Sequence, residues 1–368
     1  MSDLLYSDVE NDLRASVRDL LGDRADAAAV LARVETAEPY DLKLWRTLAG
    51  DLGAAGLAVP EELGGQGASV RETALVLEEL GRSVAPVPFL GSAVLATSAL
   101  LAADTTEPVV AELLPRLSSG ELIGALAVPL TTAPDAAFPS AVTATADGVL
   151  SGRIGTVADA PVAEVLLVPA TGPDGPGLYA VTEFSATEVT SLDLTRRIAD
   201  VVLDDNPARL VAGPGQAEAA LAAALTTGAG LLASEQLGVA EWCLEETVRY
   251  VRERYQFGRP VGSFQALKHR LADLYLELVS ARAAARYAAD ALATGSADVP
   301  VAVAVAQAYC SGIAVHAAEE AIQLHGGIGM TWEHPAHLYL KRAKSSELAL
   351  GTPGRHRRNL ATLIDLPG

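Results

Sequence analysis

Apolar residues recur at helical spacing through the first third of the chain. Leu13, Val17, Leu20 and Leu21 mark one face over residues 10–21, and Leu44, Leu48 and Leu52 mark another over 44–55. Prolines and glycines then break the pattern between Gly56 and Gly67. Ser69, with Glu72 three residues on, reads as a capping box opening a helix over 73–81. From about residue 119 the period changes. Short aliphatic and β-branched runs at 142–146, 149–152, 165–169, 178–181 and 199–203 are separated by Asp-Gly, Gly-Pro and Asp-Asn-Pro turns. Closely spaced strands of this kind predict an antiparallel barrel or sandwich. The helical period returns at 213 and predicts helices over 217–254, 263–293, 298–325, 334–349 and 353–363. The pattern therefore predicts an α+β protein with a helical domain over 1–118, a β domain over 119–212 and a helical bundle over 213–368.

The chain has 368 residues, half of them hydrophobic, which is enough for a large core. Its net charge of −19 disfavours nucleic acid and anionic membrane as partners. Cys243 and Cys310 are the only cysteines and imply buried thiols in a reducing compartment rather than a disulfide framework. The first residues, MSDLLYSDVENDLR, lack a cationic and apolar leader, so a cytoplasmic location is expected. The apolar run 217–232 is short and soon meets Glu235, and 299–322 is interrupted by Gln307, His316, Glu319 and Glu320, so no membrane span is expected. His325, His334 and His337 crowd one stretch but match no compact ligand spacing, and no metal is expected. Lys341, Arg342, Lys344, Arg355, Arg357 and Arg358 form a dense basic tract, either a solvated helix face or an aid to binding phosphates.

Two glycine-marked breaks interrupt the last helical third: Arg254-Tyr255-Gln256-Phe257-Gly258, and Gln323-Leu324-His325-Gly326-Gly327-Ile328-Gly329. Glycine lets backbone approach a ligand closely, and paired glycines expose N–H groups to an anion. These segments occur in order with Val59-Pro60-Glu61-Glu62-Leu63-Gly64-Gly65, Leu77-Glu78-Glu79-Leu80-Gly81-Arg82, Phe264-Gln265, Leu271-Ala272-Asp273, Glu333-x-Pro335 and Gly351-Thr352. As a set they resemble the acyl-CoA dehydrogenase family, across essentially the whole chain. The resemblance implies that family's fold, with a C-terminal four-helix bundle, and FAD lying between two subunits. It assigns Arg254 to the FAD pyrophosphate, and Phe257, Gln323, Gly326 and Gly327 to the adenosine and pyrophosphate part. Gln256, Gln265, Thr352 and His325, the last as a loop residue beside the cofactor, join them as expected cofactor contacts.

The same resemblance exposes departures. The family's base is a glutamate immediately before Gly-Thr, where this chain has Leu350; the alternative place, on the helix before the R-x-x-F-G segment, falls at about Gly228. Neither residue can accept a proton. Glu347, expected to share a helix face with Leu350, and Glu235 and Glu241 are the nearest carboxylates that could serve. Pro129–Ala136 and Gly155–Asp159 correspond to the loops that hold the flavin ring, without an evident tryptophan or flavin-contacting hydroxyl. These losses resemble the subunit of actinobacterial heteromeric acyl-CoA dehydrogenases that lacks the catalytic glutamate. That implies an α2β2 assembly with a homologous Glu-bearing subunit, a bulky sterol-type acyl-CoA substrate and an electron-transfer flavoprotein as acceptor. The alternatives are a homo-oligomer with a displaced base, a flavin-dependent hydroxylase or oxidase on the same fold, and a purely structural or regulatory member.

Overall fold

Ser7 accepts the Glu10 amide while the Glu10 carboxylate accepts the Ser7 amide, and on this capping box the first helix begins. The computed structural model describes residues 4–366; residues 1–3, part of the stretch read above for a leader, lie outside them. The N-terminal helices are α1 (Asp8–Arg24), α2 (Ala27–Val34), α3 (Leu42–Arg46), α4 (Val70–Ser83), α5 (Thr97–Leu101) and α6 (Pro108–Ser118). The Ser69–Glu72 box opens α4 as its spacing predicts. The helix expected over 44–55 is not continuous. After α3 the chain passes through a π turn at Thr47–Asp51, and Gly53, left-handed at φ 67°, redirects it. The π-helical run Phe89–Ala96 ahead of α5 is buried on every side, so it carries no amphipathic signal.

The strands are β1 (Gly124–Leu126), β2 (Val142–Ala144), β3 (Val149–Ala158), β4 (Val165–Gly172), β5 (Gly175–Val181), β6 (Ser185–Val189), β7 (Ile198–Pro207) and β8 (Arg209–Ala212). They form a single sheet in the order β6-β7-β3-β2-β4-β5-β8, with β1 also paired to β4. Both β1 and β2 run parallel to β4, so the sheet is mixed rather than an antiparallel barrel or sandwich. Turn residues announce hairpins only; parallel pairings join distant segments and leave no local signal.

The last third contains α7 (Gln216–Glu253), a small hairpin of β9 (Tyr255–Gln256) and β10 (Arg259–Pro260), and then α8 (Gln265–Thr294), α9 (Val299–His325), α10 (Ala336–Leu348) and α11 (Pro353–Leu363). Every helix predicted here from periodicity is present, each end within two residues. The helices at Gln216–Glu253 and Val299–Met330 are long and apolar enough to cross a membrane, yet 67% of each apolar window is buried inside the fold, as core helices are. Two glycines set the approach of α4 to α7: a Cβ on Gly238 would stand 1.9 Å from the Glu78 carbonyl oxygen, and one on Gly81 2.1 Å from that of Glu235. One apolar core runs from Val17 through Leu232 to Leu350, and a second lies within the sheet. A buried ion network ties the sheet to the bundle. Glu235 on α7 pairs with Arg196 and Arg342, and Arg342 Nε lies 2.6 Å from Asp193 Oδ2. Burial pushes the Glu235 carboxyl up, but the two guanidiniums outweigh it and hold the group below the usual carboxylate range.

Candidate active site

A groove forms where α7 and α9 both end. Past Glu253 the chain extends through Arg254 into the β9–β10 hairpin, whose turn residues Phe257 and Gly258 are both left-handed, at φ 56° and 76°. The Phe257 ring is 90% exposed and meets Phe264 edge-on at 6.2 Å. Across the groove Gly326 caps α9 at φ 63°, ψ −138°, a conformation reserved for glycine. A Cβ on Gly326 or Gly327 would meet nothing within 4 Å, so both glycines open onto the groove, although the Gly326 N–H is already donated to the Gln323 oxygen. Arg254, Gln256, Gln323, Gly326 and Gly327 thus line one groove, with Tyr250 beside them. An exposed guanidinium with an amide side chain and an exposed glycine turn suits a phosphate-bearing ligand.

His325 also lines this groove, whereas Gln265 and Thr352 do not. Gln265 opens α8 with its side chain exposed and is not among the groove-lining residues. Thr352 caps α11, its Oγ accepting the Arg355 amide at 3.3 Å, beside Gly351 and away from Arg254. His325 is not a loop residue: it ends α9 with its side chain buried, in tilted ring contact with Tyr250 at 4.4 Å and His334 at 4.3 Å.

A second place is a cleft between the sheet and α10. Thr131, Thr156, Thr190 and Ser191 face Lys344, Ser345 and Glu347 across it. Hydroxyl side chains from β3 (Thr156) and from two connecting segments (Thr131, and Thr190 with Ser191) therefore gather in this cleft. Thr156 holds a left-handed backbone at φ 54°.

Behind the cleft α10 stops at Leu348 and the chain turns. Leu350 is left-handed at φ 54° and 0% exposed. Its N–H donates to the Leu130 oxygen at 2.7 Å, and its own oxygen accepts from His356 Nε2 at 2.9 Å. Gln307 donates to the Ala349 oxygen and Gln236 to that of Ser346, so this turn is fixed from several sides. A Cβ on Gly228 would lie 3.1 Å from Leu350 Cδ1 and 2.4 Å from Leu95 Cδ2. Gly228 and Leu350, far apart in sequence, meet at one point, and Leu95 packs into it.

None of the three carboxylates reaches that point as expected. Glu347 does not share a face with Leu350, because the helix ends between them; it lines the cleft, 3.7 Å from Lys344 Nζ. Glu235 is held by Arg196 and Arg342, and Glu241 by Arg82 at 3.1 Å and Arg282 at 2.6 Å. The basic tract is also split. Lys341 sits over the Trp332 ring, Arg342 is buried with Asp193 and Glu235, and Arg355 reaches Asp135. Among the histidines, His337 Nε2 lies 3.3 Å from the Trp332 oxygen, whereas His325 and His334 meet Glu246 from α7, a partner that local spacing could not reveal.

Residues 7–121 match the domain described as "Acyl-CoA dehydrogenase, N-terminal domain", and residues 218–364 match "Acyl-CoA dehydrogenase, C-terminal domain". A Mycobacterium tuberculosis protein named Acyl-CoA dehydrogenase IpdE2 is 40% identical over 352 residues, covering 96% of each chain. The chain belongs to the acyl-CoA dehydrogenase family. It is thus a member of a family of oxidoreductases. Acyl-CoA dehydrogenase FadE34 of the same organism is 34% identical, covering 97% of this chain and 48% of its own. Among solved structures, a variant of the Tcur3481-Tcur3483 steroid ACAD superposes with a TM-score of 0.85 at 33% identity, covering 97% of both chains. The ChsE4-ChsE5 complex from Mycobacterium tuberculosis gives 0.86 at 29% identity, with both chains fully covered. Each of these two structures is named for a pair of chains.

Proposed function

We propose that this acyl-CoA dehydrogenase is the FAD-completing, non-catalytic subunit of a heteromeric enzyme that desaturates an acyl-CoA thioester between Cα and Cβ. The observation that carries this reading is the meeting of Gly228 and Leu350 under Leu95. By family resemblance these are the two places for the base, and hydrocarbon fills both. Bound FAD supplies the hydride acceptor of this chemistry. Within this chain, Arg254 would pair with the pyrophosphate, the Gln323 amide and the exposed Gly326–Gly327 turn would contact it, and exposed Phe257 would pack on the adenosine. The α proton then leaves to a glutamate of a homologous partner subunit, and the electrons pass to an electron-transfer flavoprotein. The steroid enzyme among the similar structures supports a bulky, sterol-derived acyl group.

A second reading has its own observation. The cleft with Thr131, Thr156 and Glu347 could serve a flavin ring and a displaced base in a self-sufficient homo-oligomer. Turnover of an acyl-CoA with an artificial electron acceptor separates the two. The first reading expects no desaturation by the chain alone, activity on co-expression with a Glu-bearing family member, and no change on Glu347→Gln in that complex. Full activity of the chain alone, abolished by Glu347→Gln, contradicts it and establishes the second.

A further inference from the structure

One side-chain cluster beneath the groove is arranged as a ligand set. His325 Nδ1 lies 2.6 Å from the Ala321 carbonyl oxygen, so Nδ1 carries the proton and donates it. The lone pair is then on Nε2. That atom is buried, in a residue only 2% exposed, and has no hydrogen-bond partner among the described residues. An imidazole whose far N–H is tied to a backbone carbonyl, with its near nitrogen left free, has the tautomer and support of a metal ligand. Two further donors face it: the ligating atoms of Glu246, His325 and His334 all lie within 4.8 Å of one another.

The neighbours support the geometry. Tyr250 and His334 both pack against the His325 ring, with interplanar angles of 31° and 47°, and hold it in place. Arg249 forks onto the Glu246 carboxylate, which orients it while each oxygen keeps a further lone pair. Arg249 brings an opposing charge, but it also pairs with Glu253 at 3.0 Å, so part of that charge is already answered. His334 Nδ1 lies 3.3 Å from the Ala336 N–H, a long contact that a metal bond would outweigh.

We propose that Glu246, His325 and His334 form a binding site for a divalent ion of the zinc class. Two imidazoles and one carboxylate suit zinc, nickel or copper rather than magnesium or calcium, which prefer oxygen donors throughout. Three protein ligands leave a position for water or a phosphate oxygen. The ion clips α7 to the end of α9, directly under Gly326, and fixes the floor of the groove. Donor separations must contract to about 3.3–3.5 Å for bonds of about 2.0–2.2 Å. Side-chain rotation of half-buried Glu246 and His334 accomplishes this.

The test is equilibrium dialysis of the purified, untagged full chain against micromolar zinc chloride in excess magnesium, without flavin, so that it stands apart from the cofactor reading. The expected result is one zinc retained per chain, with affinity lowered about tenfold or more in Glu246→Gln and in His334→Gln. His325→Ala should abolish retention; because that ring is buried, the two half-buried variants carry the test if His325→Ala does not fold. No zinc retained by the wild-type chain, or equal retention by Glu246→Gln and His334→Gln, overturns the proposal.

Discussion

Leu350 combines two features that seldom coincide, a left-handed backbone and a fully buried aliphatic side chain. Such a conformation costs on the order of 1–2 kcal/mol for a residue with a Cβ, and hydrogen bonds from Leu350 and His356 hold it in place. The turn is kept while the residue it presents is apolar. Replacing Leu350 by Glu would bury a carboxylate against Leu95, so Leu350→Glu should lower stability by more than about 3 kcal/mol at neutral pH. Denaturant midpoints should show that loss shrinking toward acid, where the neutral form is easier to bury. A Cβ at Gly228 would push against the movable ends of leucines, but one at Gly238 would strike backbone at 1.9 Å. Gly238→Ala should therefore be the more destabilising of the two, and thermal melts of the pair will show it. The absence of a carboxylate at 228 and 350 was legible in the sequence. Their meeting was not, because no local pattern reports a contact between α7 and the turn after α10.

Among the elements, long helices were the most legible because a 3.6-residue period persists across them, and α7, α8 and α9 end close to where that period fails. Elements buried on all sides, such as Phe89–Ala96, and pairings between distant strands, such as β1 with β4, left no such trace. The Glu246–His325–His334 cluster belongs to this second kind, since its carboxylate comes from another helix. The groove residues Arg254, Gln323, Gly326 and Gly327 were legible as glycine-marked breaks and do face one another. The buried Glu235–Arg196–Arg342 network gives a prediction about how sheet and bundle stay together. Its carboxyl sits below the usual range when folded, so its stabilising share is complete above the unfolded value of about 4.3 and is lost as pH falls through the lower folded value. Glu235→Gln should cost about 3–5 kcal/mol at pH 7 by stranding the buried Arg196 guanidinium, while Arg342 keeps Asp193. Urea midpoints of wild type and variant should converge as the pH drops below the usual glutamate range.

For the whole molecule, several strongly exposed apolar side chains come from the two segments that form the groove. Phe257 is 90% exposed, Met330 84%, and Trp332 and Tyr255 about as open as each other at 65% and 64%. Aromatic and methionine side chains of this kind mark surfaces that a partner covers. Arg254→Gln and Phe257→Ser should thus weaken flavin retention by the assembled enzyme while shifting the chain's own stability by no more than about 0.5 kcal/mol. Loss of flavin without loss of Tm is the outcome to look for. The central claim is that this chain completes a flavin site whose base belongs to another subunit. The flavin-to-chain ratio tests it most directly, by absorbance of the co-expressed complex and of the chain purified alone. The account predicts one FAD for each pair of unlike chains, and almost none on this chain by itself. One FAD per chain in the isolated protein, together with acyl-CoA desaturation, would contradict it.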